Sequence, residues 1–193
     1  VALFLPESKQ PDPQFSLRPA PILRAFTSVL KVPQFYTYSN AGGLVSAALF
    51  AYLSGSPFVF MNLYGLSEQQ YGWIFGLIAA GLITTSQLNN LLLKRYRSEQ
   101  IIRVTIPLQA LIGLTLVVGT ALNWFGLVGI IVCIALFLSC QGFSFPNASA
   151  LALAPFEQNA GSASALIGCI QMATGTLSSA LVSIFHNETA LPL

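Results

Sequence analysis

Five long apolar segments constrain this chain more than any other feature of its sequence. About 20 apolar residues cross the ~30 Å hydrocarbon layer of a bilayer as a helix. Backbone groups find no water there, and these segments are too long for barrel strands, so each must be helical. We therefore predict an all-α integral membrane fold with five transmembrane helices, over residues 35–60, 70–93, 101–122, 124–153 and 161–186.

Charged residues are too few to cover a soluble surface. They make up 7% of the 193 residues, whereas hydrophobic residues make up 54%, and a soluble protein is usually about one-quarter charged. The eight basic residues form two groups, neither of which has the basic face expected of a nucleic-acid binder. Short cytoplasmic loops of membrane proteins collect Lys and Arg. This pattern predicts a multi-pass protein in a lipid bilayer, with residues 7–34, 94–100 and 154–160 cytoplasmic.

The first 34 residues precede the first predicted span. Val1–Pro6 is apolar and stops at a proline, which indicates the end of a preceding helix. Residues 7–34 are polar and rich in proline, so a loop is predicted there. Apolar residues at helical spacing, with cations beside them, favour a short amphipathic helix on the membrane surface within that loop. The residues concerned are Ile22, Arg24, Phe26, Val29, Leu30 and Lys31. An ordinary loop with scattered apolar residues is the alternative.

Small residues and one amide share a face of the fifth span. Gly161, Gly168 and Gly175 recur there with serines, and small residues let helices approach closely in lipid. We predict that these glycines pack against another helix. Gln171 lies about 15 Å beyond Gly161, near mid-membrane, where an amide should face either a partner helix or a wet cavity.

Other uncharged polar residues are spread over the remaining spans. Together they predict a neutral polar lining, which suits a neutral or lipophilic ligand better than an ion. The candidates for contact with such a ligand are Asn40, Ser54, Gln141 and Gln171; further polar residues of the lining are Gln87, Asn89, Asn90, Gln109, Ser144 and Asn147. Gly55 and Pro57 are expected to loosen the outer end of the first span, either to line a substrate path or to improve packing.

The spans contain no Asp, Glu, Lys, Arg or His deep within them. A proton-coupled transporter needs a titratable group inside the membrane, so any such group is expected elsewhere in the protein. Glu157, in the loop between the last two spans, is interpreted as a charge near the positive end of a helix dipole. No enzyme motif, cofactor motif or metal-ligand spacing is present, so we predict no enzyme activity, no catalytic residue and no cofactor.

Two blocks carry a resemblance to a known family: YLSGSPFVFMNLYGLSEQQYGWIFG and GFSFPNASALALAPFEQNAGSASALIGCIQMATGTLSS. In this order, around a basic turn, they resemble the C-terminal half of the Bcr/CflA drug-resistance transporters, in the drug:proton antiporter branch of the major facilitator superfamily. The resemblance implies helices 7–11 of a twelve-helix fold. Residues 35–193 would then be a partial C-terminal six-helix bundle, without the N-terminal half of the same chain and without the last helix.

The function implied by this resemblance is multidrug efflux across the inner membrane. Small organic compounds would bind between the two halves and leave in exchange for protons, so that a proton gradient replaces any cofactor. Asn40, Gln141 and Gln171 match helices that contribute to the cavity in such transporters. Two alternatives remain: a major facilitator that imports a sugar or another metabolite, and a truncated, inactive membrane fragment.

Overall fold

The computed structural model describes residues 19–156 and 159–185, and every regular element in these ranges is helical. Five helices are long and apolar enough to span a membrane, which confirms the predicted all-α fold with five transmembrane segments. Each of their ends lies within about three residues of the predicted span. The helices are α1 (Pro19–Leu30), α2 (Pro33–Pro57, continued by Phe58–Leu63), α3 (Glu68–Leu92), α4 (Ser98–Ala121), α5 (Leu127–Leu153) and α6 (Ala160–Ile184).

Helix α5 is the centre of the bundle. It packs extensively against α2, α3 and α4, and its contact with α6 is small. Helix α2 packs against α5 on one side and against α6 on another. The bundle therefore has three principal helix pairs, α2–α6, α4–α5 and α3–α5, which the contact of α2 with α5 joins.

Local sequence signals explain where the long helices begin and end. Ser67 caps α3, since its hydroxyl accepts from the backbone N–H of Gln70 while the Gln70 side chain accepts from the backbone N–H of Ser67. Gly65, just before it, has φ +66°, which glycine adopts without strain. Asn123, in the turn after α4, has φ 54°, and Asn tolerates this left-handed conformation better than most residues.

The C-terminal end of α2 changes its helical form. The α-helix continues through Pro57, and Phe58–Leu63 then forms a π-helix. Proline has no N–H to donate to the preceding turn. After it the helix is wider, since the N–H of Tyr64 bonds to the carbonyl oxygen of Val59, five residues back, at 3.2 Å. The sequence predicted a loosened helix here, and the structure shows that the helix widens without breaking.

Apolar side chains bring four helices together at one end of the bundle, which we call the basic end. Val29 of α1, Phe35 of α2 and Ala163 of α6 are fully buried in one cluster with Phe156, which follows α5. The turn between α3 and α4 lies at the same end, because α4 begins beside the end of α5. This turn carries Lys94, Arg95 and Arg97, all exposed. Val1–Pro6 and Glu157 lie outside the described residues.

Candidate functional site

Gln171 lies at a junction of three helices. Its side chain is 7% exposed, and its Nε2 donates to the hydroxyl of Ser149 on α5 at 3.3 Å. A Cβ added to Gly42 of α2 would lie 3.3 Å from the same nitrogen and 3.7 Å from the Cβ of Ala148. The structure therefore places the Gln171 amide between helices. Because Gly42 has no side chain, the amide has room there.

The face of α6 that carries Gly175 packs against α2. The Thr174 hydroxyl lies 2.9 Å from the carbonyl oxygen of Gly43, and Ser46 donates to the carbonyl oxygen of Gln171 at 3.2 Å. A Cβ on Gly175 would lie 2.7 Å from the ring of Phe50. The absence of a side chain at Gly175 thus lets the two backbones approach closely, as small residues do between helices in lipid. The two hydroxyl groups bond the helices at that distance.

The other two glycines of the α6 face have no such neighbour. Nothing among the described residues lies within 4 Å of a Cβ added to Gly161 or Gly168. Of the three packing glycines predicted from the sequence, the structure places Gly175 against another helix. A packing role for Gly161 and Gly168 stays a prediction.

Asn40 and Ser54 lie on α2 and are half-buried. The Nδ2 of Asn40 donates to the carbonyl oxygen of Tyr36 in its own helix, at 2.7 Å, which leaves the side-chain oxygen of Asn40 without a bond to a described residue. These two residues are therefore more accessible than Gln171. Their contact with a ligand stays a prediction, as does that of Gln171.

Gln141 is the fourth candidate, and it is buried in α5. Its side chain is 3% exposed, and its Oε1 accepts no hydrogen bond in the described part of the chain. A buried amide oxygen without a donor is costly, so this atom marks a place where water or a ligand group would be favourable. Its role in binding stays a prediction.

A second polar cluster joins α5 to α3 and α4. Asn147 Nδ2 donates to Asn89 Oδ1 at 2.6 Å. Ser144 has its hydroxyl 3.1 Å from Thr105 Oγ1 and 3.2 Å from Gln109 Oε1. One hydroxyl proton can serve one of these acceptors at a time. The Oδ1 of Asn147 has no donor within the described ranges.

This cluster changes the interpretation of the predicted lining. Asn89, Gln109, Ser144 and Asn147 are buried and face one another between helices, whereas Gln87 and Asn90 are exposed near the basic end. Sequence reasoning missed the hydroxyl groups that form bonds between helices, which belong to Ser46, Thr105, Ser149 and Thr174. A Ser or Thr within an apolar span is a signal of interhelical bonding, but it does not say which helix supplies the partner.

A third polar group lies near the π-helical end of α2. The hydroxyls of Ser56 and Tyr71 are 3.0 Å apart, and either can donate. The hydroxyl of Tyr52 is buried and has no partner in the part of the chain that the structure describes. The Tyr52 ring stacks on Phe75, with ring centroids 6.0 Å apart. Three hydroxyl-bearing side chains thus lie where the C-terminal end of α2 meets the start of α3.

Two adjoining apolar cavities of about 230 Å³ each lie in a groove between α2, α4 and α5. They share Ala48 and Phe137. None of the four predicted ligand residues lines either cavity, and Ala48 lies on the side of α2 away from α6 by helical spacing. Of the predicted polar lining, Gln109 lines one of the cavities, so the groove meets that lining at Gln109 and at none of the four ligand candidates.

Neutral groups provide the buried polarity of the bundle. Every buried polar side chain in residues 19–156 and 159–185 is an amide or a hydroxyl. No group of three or more His, Cys, Asp or Glu side chains in these ranges is arranged to hold a metal ion. Such an interior can donate and accept hydrogen bonds without presenting a charge.

A family model and two curated relatives all relate the chain to the same superfamily. The model of the Major Facilitator Superfamily matches residues 1–179. The chain is 28% identical over all of its 193 residues to the Bicyclomycin resistance protein homolog of Haemophilus influenzae, of which it covers 48%. It is 26% identical, with the same coverage, to an MFS-type transporter of Bacillus subtilis, YdgK. The chain spans about half the length of these curated relatives.

Proposed function

This chain belongs to the Major Facilitator Superfamily, a superfamily of membrane transporters, and we propose that it forms part of a multidrug exporter of the inner membrane. The complete protein moves small organic compounds, antibiotics among them, out of the cell in exchange for protons. The chain described above supplies part of one of its two halves, with the basic end at the cytoplasm.

The observation that carries this proposal is the similarity over the whole chain to a protein named for bicyclomycin resistance. The predicted resemblance to the Bcr/CflA transporters agrees with that relative. The uncharged interior gives physical support. Burying a charge without a partner is expensive, so a half whose buried polar groups are all neutral suits an uncharged or lipophilic compound better than an ion.

Proton exchange requires a titratable group that this bundle does not bury. Arg103 is exposed on α4, and Glu68 is exposed at the start of α3. We therefore place the proton-carrying residue outside the five described spans, in the remainder of the protein. Transport then proceeds by rocking one half against the other around a compound bound between them.

The bundle is built to move as one body in such a cycle. The α2–α6 pair is held by the bonds of Ser46 and Thr174, and the α3–α5 pair by Asn89 and Asn147. The compound is proposed to contact Asn40, Ser54, Gln141 and Gln171. Asn40 and Ser54 are accessible already, whereas the two buried glutamines are reached by movement of the side chains around them, without separation of the bonded helix pairs.

The test is an efflux assay on the full-length protein that carries this sequence. The protein is expressed in a host without its own major drug exporters, and resistance to bicyclomycin and chloramphenicol is measured. In inverted vesicles that are acidic inside, adding either compound should release protons, read with a pH-sensitive dye. An uncoupler should abolish this signal.

Three outcomes separate the proposal from its rivals. Resistance with compound-induced proton release supports export. Proton-linked accumulation of a sugar or another metabolite, without resistance, would replace it with an uptake function. A correctly inserted full-length protein that moves neither kind of compound would contradict transport by this protein altogether.

A further inference from the structure

Helix α1 presents two different apolar surfaces. Val29 is fully buried against the bundle, where α1 packs on α6 and α2. Leu23 and Leu30, by contrast, are 61% and 45% exposed. At 100° per residue these two leucines lie about 100° around the helix from Val29. They form a second strip that no described residue covers.

Two cations run beside this leucine strip. Arg24 and Lys31 follow Leu23 and Leu30 by one residue each and are exposed. The two pairs have the same spacing of seven residues, about two helical turns or 10 Å along the axis. Neither cation forms an ion pair with a described residue. Helix α1 therefore carries the apolar strip and Arg24, and Lys31 follows directly after its last residue; none of these side chains has a partner in residues 19–156 and 159–185.

The position of α1 brings these side chains to the membrane surface. The helix lies at the basic end, joined to the membrane-spanning α2 by Lys31 and Val32. The exposed cations Lys94, Arg95 and Arg97 lie at the same end. Glu99, also exposed, is the one acidic side chain that the structure describes there. This end of the protein therefore presents a positive surface where its spans leave the hydrocarbon.

We propose that α1 is a binding surface for anionic phospholipid in the leaflet at the basic end. Leu23 and Leu30 insert among the upper acyl chains, and Arg24 and Lys31 contact the phosphates of the headgroups. An amphipathic helix binds an interface through buried apolar area together with attraction to anionic lipid. Helix α1 has exposed leucines for the apolar contact and neighbouring cations for the attraction to anionic lipid, while the side that carries Val29 stays packed on the bundle.

Charge complementarity favours lipid over another protein surface as the occupant. Two leucines, two turns apart, make a narrow strip, which suits shallow insertion better than a helix-packing interface. Cations near an anionic leaflet each strengthen binding, and both cations lie on the same side of the leucine strip. This inference does not depend on which compound the protein transports, or on whether it transports one.

The first experiment measures the depth of each face of α1. The full-length protein, with Cys133, Cys140 and Cys169 replaced by alanine, receives an environment-sensitive fluorophore at Leu23→Cys or at Ser28→Cys. Ser28 is exposed and lies about 140° around the helix from Leu23. The protein is placed in bilayers of mixed phosphatidylglycerol and phosphatidylcholine. The label at position 23 should be quenched by spin-labelled lipid, and the label at position 28, on the side away from the leucine strip, by aqueous iodide.

Two results of that experiment would overturn the proposal. Equal quenching of both labels by iodide would place α1 in water. Protection of position 23 from both quenchers would show that another part of the protein covers the leucine strip. In either case the leucines are not in lipid.

The second experiment measures the contribution of the cations. Arg24→Gln and Lys31→Gln should each weaken the retention of phosphatidylglycerol about fivefold, as expected for one cation near an anionic surface. Phosphatidylcholine retention should not change. The matched controls Arg24→Lys and Lys31→Arg keep the charge and should retain phosphatidylglycerol as the unaltered protein does. Unchanged retention in the glutamine variants would overturn the proposal. Proton release in the transport assay is measured on the same variants as a readout that is independent of lipid retention.

Discussion

The α3–α5 and α2–α6 pairs both bring helices close together, but by different means. At Gly142 of α5, an added Cβ would lie 2.7 Å from the carbonyl oxygen of Leu82 and 2.9 Å from the amide nitrogen of Ser86. The Thr85 hydroxyl of α3 lies nearer still, and the other two neighbours are these backbone atoms. At Gly175 of α6 the nearest neighbour is the ring of Phe50, a side chain that can turn.

This difference shows that a stripe of small residues is a poor guide to the tightest contact. Helix α6 carries glycines at regular spacing, yet Gly161 and Gly168 have open space around them. Gly142 stands among larger residues in the sequence CQGFSF and belongs to no stripe. Backbone atoms of α3 cannot move aside without shifting the helix, so α3–α5 should tolerate change less well than α2–α6.

The largest expected effect is at Gly142. Gly142→Ala should lower the free energy of unfolding by about 3 kcal/mol, the cost of overpacking against atoms that cannot rotate away. The measurement is unfolding of the full-length protein in mixed micelles. Gly168→Ala is the control, and it should leave stability unchanged or raise it by at most ~1 kcal/mol, since alanine favours helix over glycine. Equal effects at the two sites would contradict the contrast between them.

Gly175→Ala should have an intermediate effect. The ring of Phe50 must shift to admit a methyl group, so we expect a loss of about 2 kcal/mol in the same unfolding assay. Combining it with Phe50→Leu should recover part of that loss, because the smaller side chain leaves room. If the combined variant is no more stable than Gly175→Ala alone, the ring is not what limits the approach of α6.

The Asn89–Asn147 bond should contribute less than either glycine contact. Asn147→Leu leaves the Asn89 oxygen buried without its donor, and a double-mutant cycle with Asn89→Leu should give a coupling energy of about 1 kcal/mol. Unfolding of the two single variants and the double variant provides the cycle. Additive losses would mean that the 2.6 Å bond adds nothing to the α3–α5 pair beyond packing.

The smallest expected effect on stability is at the Gln171–Ser149 bond. Ser149→Ala should cost about 0.6 kcal/mol, the usual size of a polar interaction between membrane helices. Gln171→Leu breaks the same bond, and should in addition change which compounds are exported if the amide contacts them. Resistance profiles of both variants decide the matter. Matching profiles would leave Gln171 as a packing residue.

The sequence predicted the five spans well because length and hydropathy suffice for them. A segment of about 20 apolar residues has few options in a bilayer. Helical spacing also indicated which residues share a face, and it singled out Gly175 on α6. That this face meets Gly43 and Phe50 of α2 depends on how the helices are arranged, which spacing within one helix does not contain.

The candidate site was less predictable for the same reason. Gln171 was expected near mid-membrane, facing either a partner helix or a cavity. Its bond to Ser149 and its place beside Gly42 follow from the approach of α2 to the consecutive helices α5 and α6. The π-helix after Pro57 shows a similar limit: proline removes a donor, but the form that the next turn takes is set by its surroundings.

Helix α2 is longer than the membrane it crosses. Its 31 residues from Pro33 to Leu63 extend about 46 Å at the rise of an α-helix, against a hydrocarbon layer of ~30 Å. Such a mismatch is met by tilt, by projection beyond the lipid, or by local thickening of the bilayer. Because α2 is bonded to α5 and to α6, it cannot change its tilt without carrying its neighbours. The thickness of the host membrane therefore acts on the whole bundle through this one helix, and lipids of different chain length should set it at different angles.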